Sequence, residues 1–357
     1  MEYKRIEELT TVVTGGTPST GKREYWDGGN IPWLQSGCCQ NCDVNSTEKY
    51  ITQEGYDNSS ARIMPANTVM IALTGATAGK VGYLNFEACG NQSITGIFPC
   101  NSMNQRYLFY YLLSQREKIL TDCVGGAQAH ISQGYVKNIK VPVLPLSEQK
   151  QIVEVLTKLS TVISMQQNEI KTLDNLVKAR FVEMFGDPYT NSKDYPLKKG
   201  ESFFKLSNGK AVPESKRLNG GIPAYGGNGI SWYTDESLFD ADTIVVGRVG
   251  FQSGNVHLVK GPLWVTDNAM YMSSCDFSQY NLTFLIELMA HVDFTKFQDA
   301  GDLKKITQKP FMQFEYLCPP LSLQNQFAAF VAEVDKSKLF AELFAQNTCI
   351  LAENRSK

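Results

Sequence analysis

Apolar positions recur with a helical period in two long stretches of the chain. The first runs from near Ser147 to about Phe185, where Gly186-Asp187-Pro188 ends it, and the second follows Pro320 with a less regular pattern. Steps of three and four residues predict two helices of ~40 residues, or ~60 Å, with coiled-coil seams. The predicted packing residues are Ile152, Leu156, Leu159, Ile163, Ile170, Leu173 and Val177 in the first helix, and Leu323, Phe327, Phe330, Val334, Phe344 and Leu351 in the second.

Short apolar runs, glycines and turn residues fill the region before each long helix. Residues 69–73 (VMIAL) and 243–246 (TIVV) have the pattern of buried strands, and each leads into a glycine-rich turn. Both regions are therefore predicted to be small mixed α/β domains. Two helices packed on each other in antiparallel orientation would bury both seams, whereas the alternative is that each helix packs on its nearest domain.

The chain repeats itself with an offset of 175 residues. The register fails upstream, where Ile31-Pro32 and Ile222-Pro223 are 191 residues apart, so insertions and deletions separate the copies there. Positions related by the constant offset include Gly75 and Gly250, Gly79 and Gly254, Ile131 and Ile306, Pro145-Leu146-Ser147 and Pro320-Leu321-Ser322, and Gln149 and Gln324.

The resulting prediction is an α+β protein organised as a pseudo-twofold tandem repeat. Two small mixed α/β domains are separated by two long antiparallel coiled-coil helices. The predicted boundaries are 1–145 for the first domain, 146–185 for the first helix, 186–319 for the second domain and 320–357 for the second helix.

Composition indicates a folded chain and argues against an autonomous nucleic-acid binder. Hydrophobic residues make up 43% of the chain and charged residues 20%. The chain has 34 basic and 36 acidic residues, which gives a net charge of −2. Either the chain binds no DNA, or its basic residues cluster on one face and a partner adds phosphate contacts. A charged N-terminus, the lack of a long apolar run and nine cysteines without regular pairing predict a cytoplasmic protein with reduced thiols.

Motifs that could carry chemistry fail on spacing or context. GATAGKV at 75–81 lacks the spacing and the Ser or Thr of a phosphate-binding loop, so a tight turn is the better interpretation. Cys39 and Cys42 have zinc-ligand spacing, yet no second pair follows. His130, His257 and His291 lie outside known catalytic motifs. We therefore predict no catalytic site, no metal and no cofactor in this chain.

Several segments together resemble the specificity subunits of Type I restriction–modification systems. They are GGTPSTGKREYWDGGNIPWLQSG (15–37), LTGATAGKVG (73–82), ISQGYVKNIKVPVLPLSEQKQIVEVL (131–156), RFVEMFGDP (180–188) and IPAYGGNGI (222–230). The second junction, PPLSLQNQF (319–327), departs from the first at Leu323 and Asn325.

This resemblance implies a non-catalytic subunit in which two target-recognition domains each read half of a split, asymmetric site on double-stranded DNA. The two helices would then fix the distance between the two halves of the DNA site. Two modification (methyltransferase) subunits, and restriction subunits where present, are the implied partners. S-adenosylmethionine, and ATP for restriction, would be bound by those partners.

Polar, basic and aromatic residues in glycine-rich loops are the candidates for DNA contacts, since Arg, Asn and Gln read base edges while Lys holds phosphate. The candidates are Lys22, Arg23, Tyr25, Trp26, Gln35, Ser36, Thr74, Thr77, Lys80 and His130 in the first domain, and Tyr225, Asn228, Arg248, Gln252, Lys304 and Lys305 in the second.

Three other interpretations remain open at the level of sequence. The chain could serve a different restriction system whose partner both cleaves and methylates. It could be a protein-binding scaffold that does not recognise DNA, which its near-neutral charge favours. An enzyme with Cys38 or Cys42 as nucleophile is the third, and retained activity after replacement of the cysteine by serine would exclude it.

Overall fold

The structure, a computed structural model, describes residues 2–122, 130–211, 213–301 and 304–356, with side chains up to residue 345. The chain divides into two compact units. Unit 1 comprises residues 1–166 and 343–357, and unit 2 comprises residues 167–342. No helix within the described ranges is both long and apolar enough to cross a membrane.

Two long helices run through both units, and shorter helices flank the sheets. The helices are α1 (Ile6–Leu9), α2 (Gln53–Asp57), α3 (Gln105–Ser114), α4 (Arg116–Thr121), α5 (Gln133–Asn138), α6 (Leu146–Phe185), α7 (Leu282–Ala290), α8 (Lys309–Gln313) and α9 (Leu321–Ser356). Both α6 and α9 have the length that their apolar seams predict.

Unit 1 contains a five-stranded sheet, a four-stranded sheet and a two-stranded ribbon. Its strands are β1 (Glu2–Arg5), β2 (Val12–Thr14), β3 (Ile31–Leu34), β4 (Cys42–Val44), β5 (Lys49–Ile51), β6 (Ile63–Met64), β7 (Val69–Ala72), β8 (Val81–Leu84), β9 (Ala88–Gly90), β10 (Ile94–Ile97) and β11 (Lys140–Val143). The strand orders are β2-β10-β7-β8-β4, β5-β3-β9-β6 and β1-β11.

Unit 2 has the same plan with fewer strands. Its strands are β12 (Leu197–Lys199), β13 (Phe204–Asn208), β14 (Ile222–Gly226), β15 (Gly229–Thr234), β16 (Thr243–Gly247), β17 (Val256–Val259), β18 (Trp264–Val265), β19 (Ala269–Cys275) and β20 (Glu315–Leu317). The orders β13-β19-β16-β17, β15-β14-β18 and β12-β20 mirror those of unit 1. In both units the central strand, β7 or β16, is buried along its whole length, as its apolar run predicts.

Backbone contacts at the constant offset confirm the internal repeat. Thr74 forms an isolated antiparallel bridge with His130, and Val249 forms one with Lys305. After β7 the Gly79 N–H donates to the Ala72 carbonyl at 2.9 Å, and after β16 the Gly254 N–H donates to the Gly247 carbonyl at 2.8 Å. The glycines that begin and end each turn, Gly75 and Gly79 or Gly250 and Gly254, all have positive φ between 71° and 99°.

Within unit 2 the second half of α6 and the first half of α9 pack in antiparallel orientation. The ring of Phe181 lies 5.6 Å from that of Phe327, while Asp174, earlier on α6, pairs with Lys338, later on α9, at 2.7 Å. Phe284 of α7 joins this cluster, stacking on Phe181 at 5.7 Å. The α+β class, with two mixed parts and a pair of long helices, is thereby confirmed.

The seam of α6 lies where the apolar pattern predicts. Leu156 and Val177 are buried, and Ile152, Leu159, Ile163, Ile170 and Leu173 are partly buried. In α9, Phe327 and Val334 are buried and Leu323 and Phe330 are partly buried.

Phe344 is 47% exposed while Ala341, one turn earlier, is 2% exposed, and the packing of Phe344 stays a prediction. Val331 and Ala341 are also buried, so the buried face of α9 is wider than the predicted seam. The side chain of Leu351 lies outside the described residues.

Candidate nucleic-acid interface

Four predicted residues of unit 1 meet at the turn that follows β7. Thr74 bridges to His130, and the Thr74 hydroxyl donates to Ser93 Oγ at 2.9 Å. Thr77 lies in the one-turn 3₁₀ helix Gly75–Thr77. The ammonium of Lys80 donates to Gln40 Oε1 at 2.7 Å. The turn thus brings hydroxyl, imidazole and ammonium groups to one end of the five-stranded sheet, where each is at least partly exposed.

The equivalent turn of unit 2 gathers a more basic set. Arg248 accepts a hydrogen bond from the Ile306 N–H at 3.0 Å, and Lys304 accepts one from the Gly250 N–H at 2.8 Å, both through their carbonyls. These bonds hold residues 304–306 beside the turn and leave the side chains of Lys304 and Lys305 exposed. The Arg248 guanidinium is partly exposed and donates to the Asp267 carbonyl at 3.3 Å.

A hairpin between β14 and β15 abuts the same turn. A Cβ placed on Gly227 would lie 3.1 Å from the Cα of Gly247, so a larger residue would require the two backbones to move apart. The hairpin carries partly buried Tyr225 and exposed Asn228. Gln252 in the turn accepts a hydrogen bond from the Asn255 side chain at 3.1 Å. The structure therefore places Tyr225, Asn228, Arg248, Gln252, Lys304 and Lys305 on neighbouring loops at one end of unit 2.

The cluster at residues 22–26 is divided between surface and core. Lys22 and Arg23 are exposed, and Lys22 Nζ donates to the Tyr25 hydroxyl at 2.8 Å. That hydrogen bond raises the pKa of Lys22. The side chain of Tyr25 is only 5% exposed, with the backbone of Gly55 close to its Cβ, and this burial argues against the predicted DNA contact of Tyr25.

Trp26 and Gln35 line a second feature, a cavity of about 600 Å³ in unit 1. Trp26 is half-buried and meets Trp33 edge-on with ring centroids 5.0 Å apart. Gln35 is exposed at its rim, and Ser36 follows in a short 3₁₀ turn. This cavity is separate from the turn after β7 in sequence and in its lining residues.

Sequence reasoning missed two groups in unit 2. Phe251, at the tip of the turn after β16, is 95% exposed. Lys216 and Arg217 precede β14 as Lys22 and Arg23 precede β3, and the Arg217 guanidinium lies 4.1 Å from the centre of the Trp232 ring. The sequence does contain a signal for the second group, because a Lys-Arg dipeptide lies upstream of each Ile-Pro pair. The constant offset of 175 residues does not relate these two dipeptides, so the repeat alone does not reveal them.

The cysteine cluster of unit 1 extends from the core to the surface, with Cys39 buried and Cys42 exposed. Cys39 is fully buried in a core cluster with Leu34 and Val44, and its hydrogen bond to Cys38 lowers the pKa of the Cys38 thiol. Among the residues with described positions, no group of three or more His, Cys, Asp or Glu side chains could hold a metal ion.

Comparison with known proteins gives one consistent family. Residues 1–175 match the family described as the Type I restriction modification DNA specificity domain. Over 166 residues the chain is 32% identical to the specificity subunit of the Type I restriction enzyme EcoR124I/EcoR124II from Escherichia coli, a match that covers 45% of this chain and 41% of that protein. It is 22% identical over 367 residues to the EcoprrI specificity subunit of Escherichia coli, covering 94% and 88%.

Two solved structures share the fold. The S subunit of a Type I restriction–modification system from M. genitalium superposes with a TM-score of 0.61 at 15% identity, covering 100% of this chain and 95% of that one. A chain from a study of complex assembly and conformational transition in the type I R-M system gives 0.55 at 12% identity, covering 99% and 96%. At these identities the likeness concerns the fold.

Proposed function

We propose that the chain, whose residues 1–175 match the family of Type I restriction modification DNA specificity domains, is a Type I specificity subunit. In this role it recognises a two-part, asymmetric sequence on double-stranded DNA and carries out no catalysis. Methylation and cleavage belong to partner subunits, which bind S-adenosylmethionine and ATP.

The equivalent turns of the two units support the proposal independently of the family match. The two units present equivalent turns, held by equivalent backbone bonds, but with different side chains. Thr74, Thr77 and Lys80 in unit 1 correspond to Val249, Gln252 and Asn255 in unit 2. Two copies of one scaffold with different base-reading groups suit a site whose halves differ in sequence.

The domain limits proposed for this function are 1–145 and 186–319 for the two recognition domains, and 146–185 and 320–357 for the two spacer helices. A near-twofold repeat offers two similar surfaces, which suits a pair of identical methyltransferase subunits. With a net charge of −2, the chain relies on those partners for part of the phosphate contacts. The cytoplasm is the compartment where such a complex meets DNA.

The test is methylation mapping in a host that expresses the methyltransferase with and without this chain. We expect modified adenines only when the chain is present, within a two-part motif of fixed gap. A stable complex and an active methyltransferase without any chain-dependent motif would refute the proposal.

Charge reversal tests the candidate contacts in unit 2. Arg248→Glu or Lys304→Glu should weaken DNA binding by the assembled complex about tenfold at physiological salt, because each removes a cation from the turn. Lys260→Glu is the matched control, since Lys260 is exposed at the opposite end of the same β16–β17 hairpin. Equal affinities for all three variants would remove Arg248 and Lys304 from the interface.

A further inference from the structure

Each long helix begins with a buried glutamine whose amide binds the backbone of the preceding domain. In unit 1, Gln149 is 0% exposed. Its Oε1 accepts a hydrogen bond from the Asn104 N–H at 2.7 Å. Its Nε2 donates to the Leu144 carbonyl at 2.8 Å and to the Ser102 carbonyl at 3.5 Å.

Unit 2 repeats this arrangement 175 residues later. Gln324 is also 0% exposed, and its Oε1 accepts from the Asn281 N–H at 2.8 Å. Its Nε2 donates to the Pro319 carbonyl at 2.8 Å and the Gln279 carbonyl at 2.9 Å. Two occurrences of the same three-bonded amide, in copies that have diverged widely elsewhere, indicate that the geometry itself is required.

The backbone groups that the two glutamines bind lie at a junction. Asn104 and Asn281 are the N-caps of α3 and α7, and their own side chains accept hydrogen bonds from the first turns of those helices. One amide therefore ties together the start of a domain helix, the loop before it and the strand-to-helix connection that leads into α6 or α9.

Only glutamine meets these demands. A glutamate of the same shape cannot donate to two carbonyls when ionised, and an apolar side chain would leave buried N–H and C=O groups without partners. Asparagine is one methylene too short to span the same groups.

We propose that Gln149 and Gln324 are positioning residues that fix the direction in which each spacer helix leaves its recognition domain, and thereby set the gap between the DNA half-sites. The inference rests on the proposed function. The length of each spacer helix makes its junction with the domain important, because a small bend there is amplified along the helix. A bend of only about 5° at one end of a ~60 Å helix moves the other end by about 5 Å, which exceeds the ~3.4 Å step between base pairs.

The experiment measures methylation by the complete complex on DNAs whose half-sites are separated by the native gap or by one base pair more or fewer. The variants are Gln149→Glu and Gln324→Glu. Gln151→Glu and Gln326→Glu are matched controls, because these glutamines are exposed two residues further along the same helices. If a glutamate variant does not fold, Gln149→Asn or Gln324→Asn replaces it in the experiment, because asparagine keeps the amide but is too short to make the same hydrogen bonds.

We expect the preference for the native gap to fall about tenfold in the Gln149 and Gln324 variants and to stay unchanged in the controls. A purely structural role would lower methylation equally at every gap, and that result, or an unchanged preference in a folded variant, would overturn the inference. A wild-type complex without any gap preference would instead refute the proposed function.

Discussion

An exposed ring distinguishes the turn after β16 from the turn after β7. Phe251 is 95% exposed between two glycines of positive φ, whereas the equivalent residue of unit 1 is Ala76. A phenylalanine held almost entirely in water gives up the free energy that burial would provide. Its neighbours Arg248 and Gln252 are base-reading residue types, so the ring suits an apolar contact with a base edge, such as the methyl group of thymine.

This contact predicts a specific loss on substitution. Phe251→Ala should weaken binding of the complex to its native site about tenfold and relax sequence preference at one position of the second half-site. Replacing the contacted thymine by uracil should weaken binding to the wild type but not to the variant. Phe277→Ala, at another exposed phenylalanine (59% exposed), is the control. Equal sensitivity of wild type and Phe251→Ala to uracil at every position would contradict the contact.

At the residue scale the sequence identifies the right turns but not which side chains they expose. Gly75, Gly79, Gly250 and Gly254 mark both turns correctly, since only a backbone with positive φ needs them. The burial of Tyr25 depends on Gly55, whose backbone approaches it from a distant part of the chain. No local pattern contains that contact, so aromatic and basic clustering alone overestimates the interface.

At the scale of elements, periodicity predicts the length of both long helices and the seam of α6. The seam is less complete in α9, because that helix has two partners. Phe327 contacts Phe181 of α6. Asn325 accepts a hydrogen bond from the side chain of Asn281, the N-cap of α7, at 2.9 Å. A face shared between two helices is wider than a coiled-coil stripe, so heptad counting misses buried residues such as Val331.

Burial of a carboxyl on α7 gives an element-scale prediction. Desolvation raises the pKa of Glu287, although His291, Lys338 and Lys178 act in the opposite direction and Asp335 adds to the rise. The folded state therefore holds this proton more tightly than the unfolded state, and the ionised carboxylate costs stability above its ordinary pKa of 4.5. Glu287→Gln should raise Tm by about 2 °C at pH 7.

Thermal unfolding as a function of pH checks this prediction. The gain from Glu287→Gln should shrink as the pH falls towards 4.5, where the native carboxyl takes up its proton. Glu333→Gln, at a side chain that is 73% exposed, should show no such dependence. A variant that is less stable than the wild type at pH 7 would mean that the attraction to Lys338 and Lys178 outweighs desolvation.

At the scale of the whole molecule, unit 1 is assembled from both ends of the chain. Residues 343–357 belong to it, although residues 167–342 form unit 2. Deleting residues 343–357 should therefore speed amide hydrogen exchange about tenfold or more in the first half of α6, around Leu156, because the deleted residues belong to the same unit as that half. The second half, around Val177, should keep its protection. A uniform increase along α6 would show that the two halves are not supported separately.

The same division has a consequence for synthesis on the ribosome. At ~5–20 residues per second, the first 166 residues emerge and then wait roughly 10–35 s while residues 167–342 are translated. All residues of unit 2 have been synthesised before the last residues of unit 1. Unit 1 is therefore begun first and completed last. During that interval the apolar stripe in the first half of α6 lacks residues 343–357, which belong to the same unit.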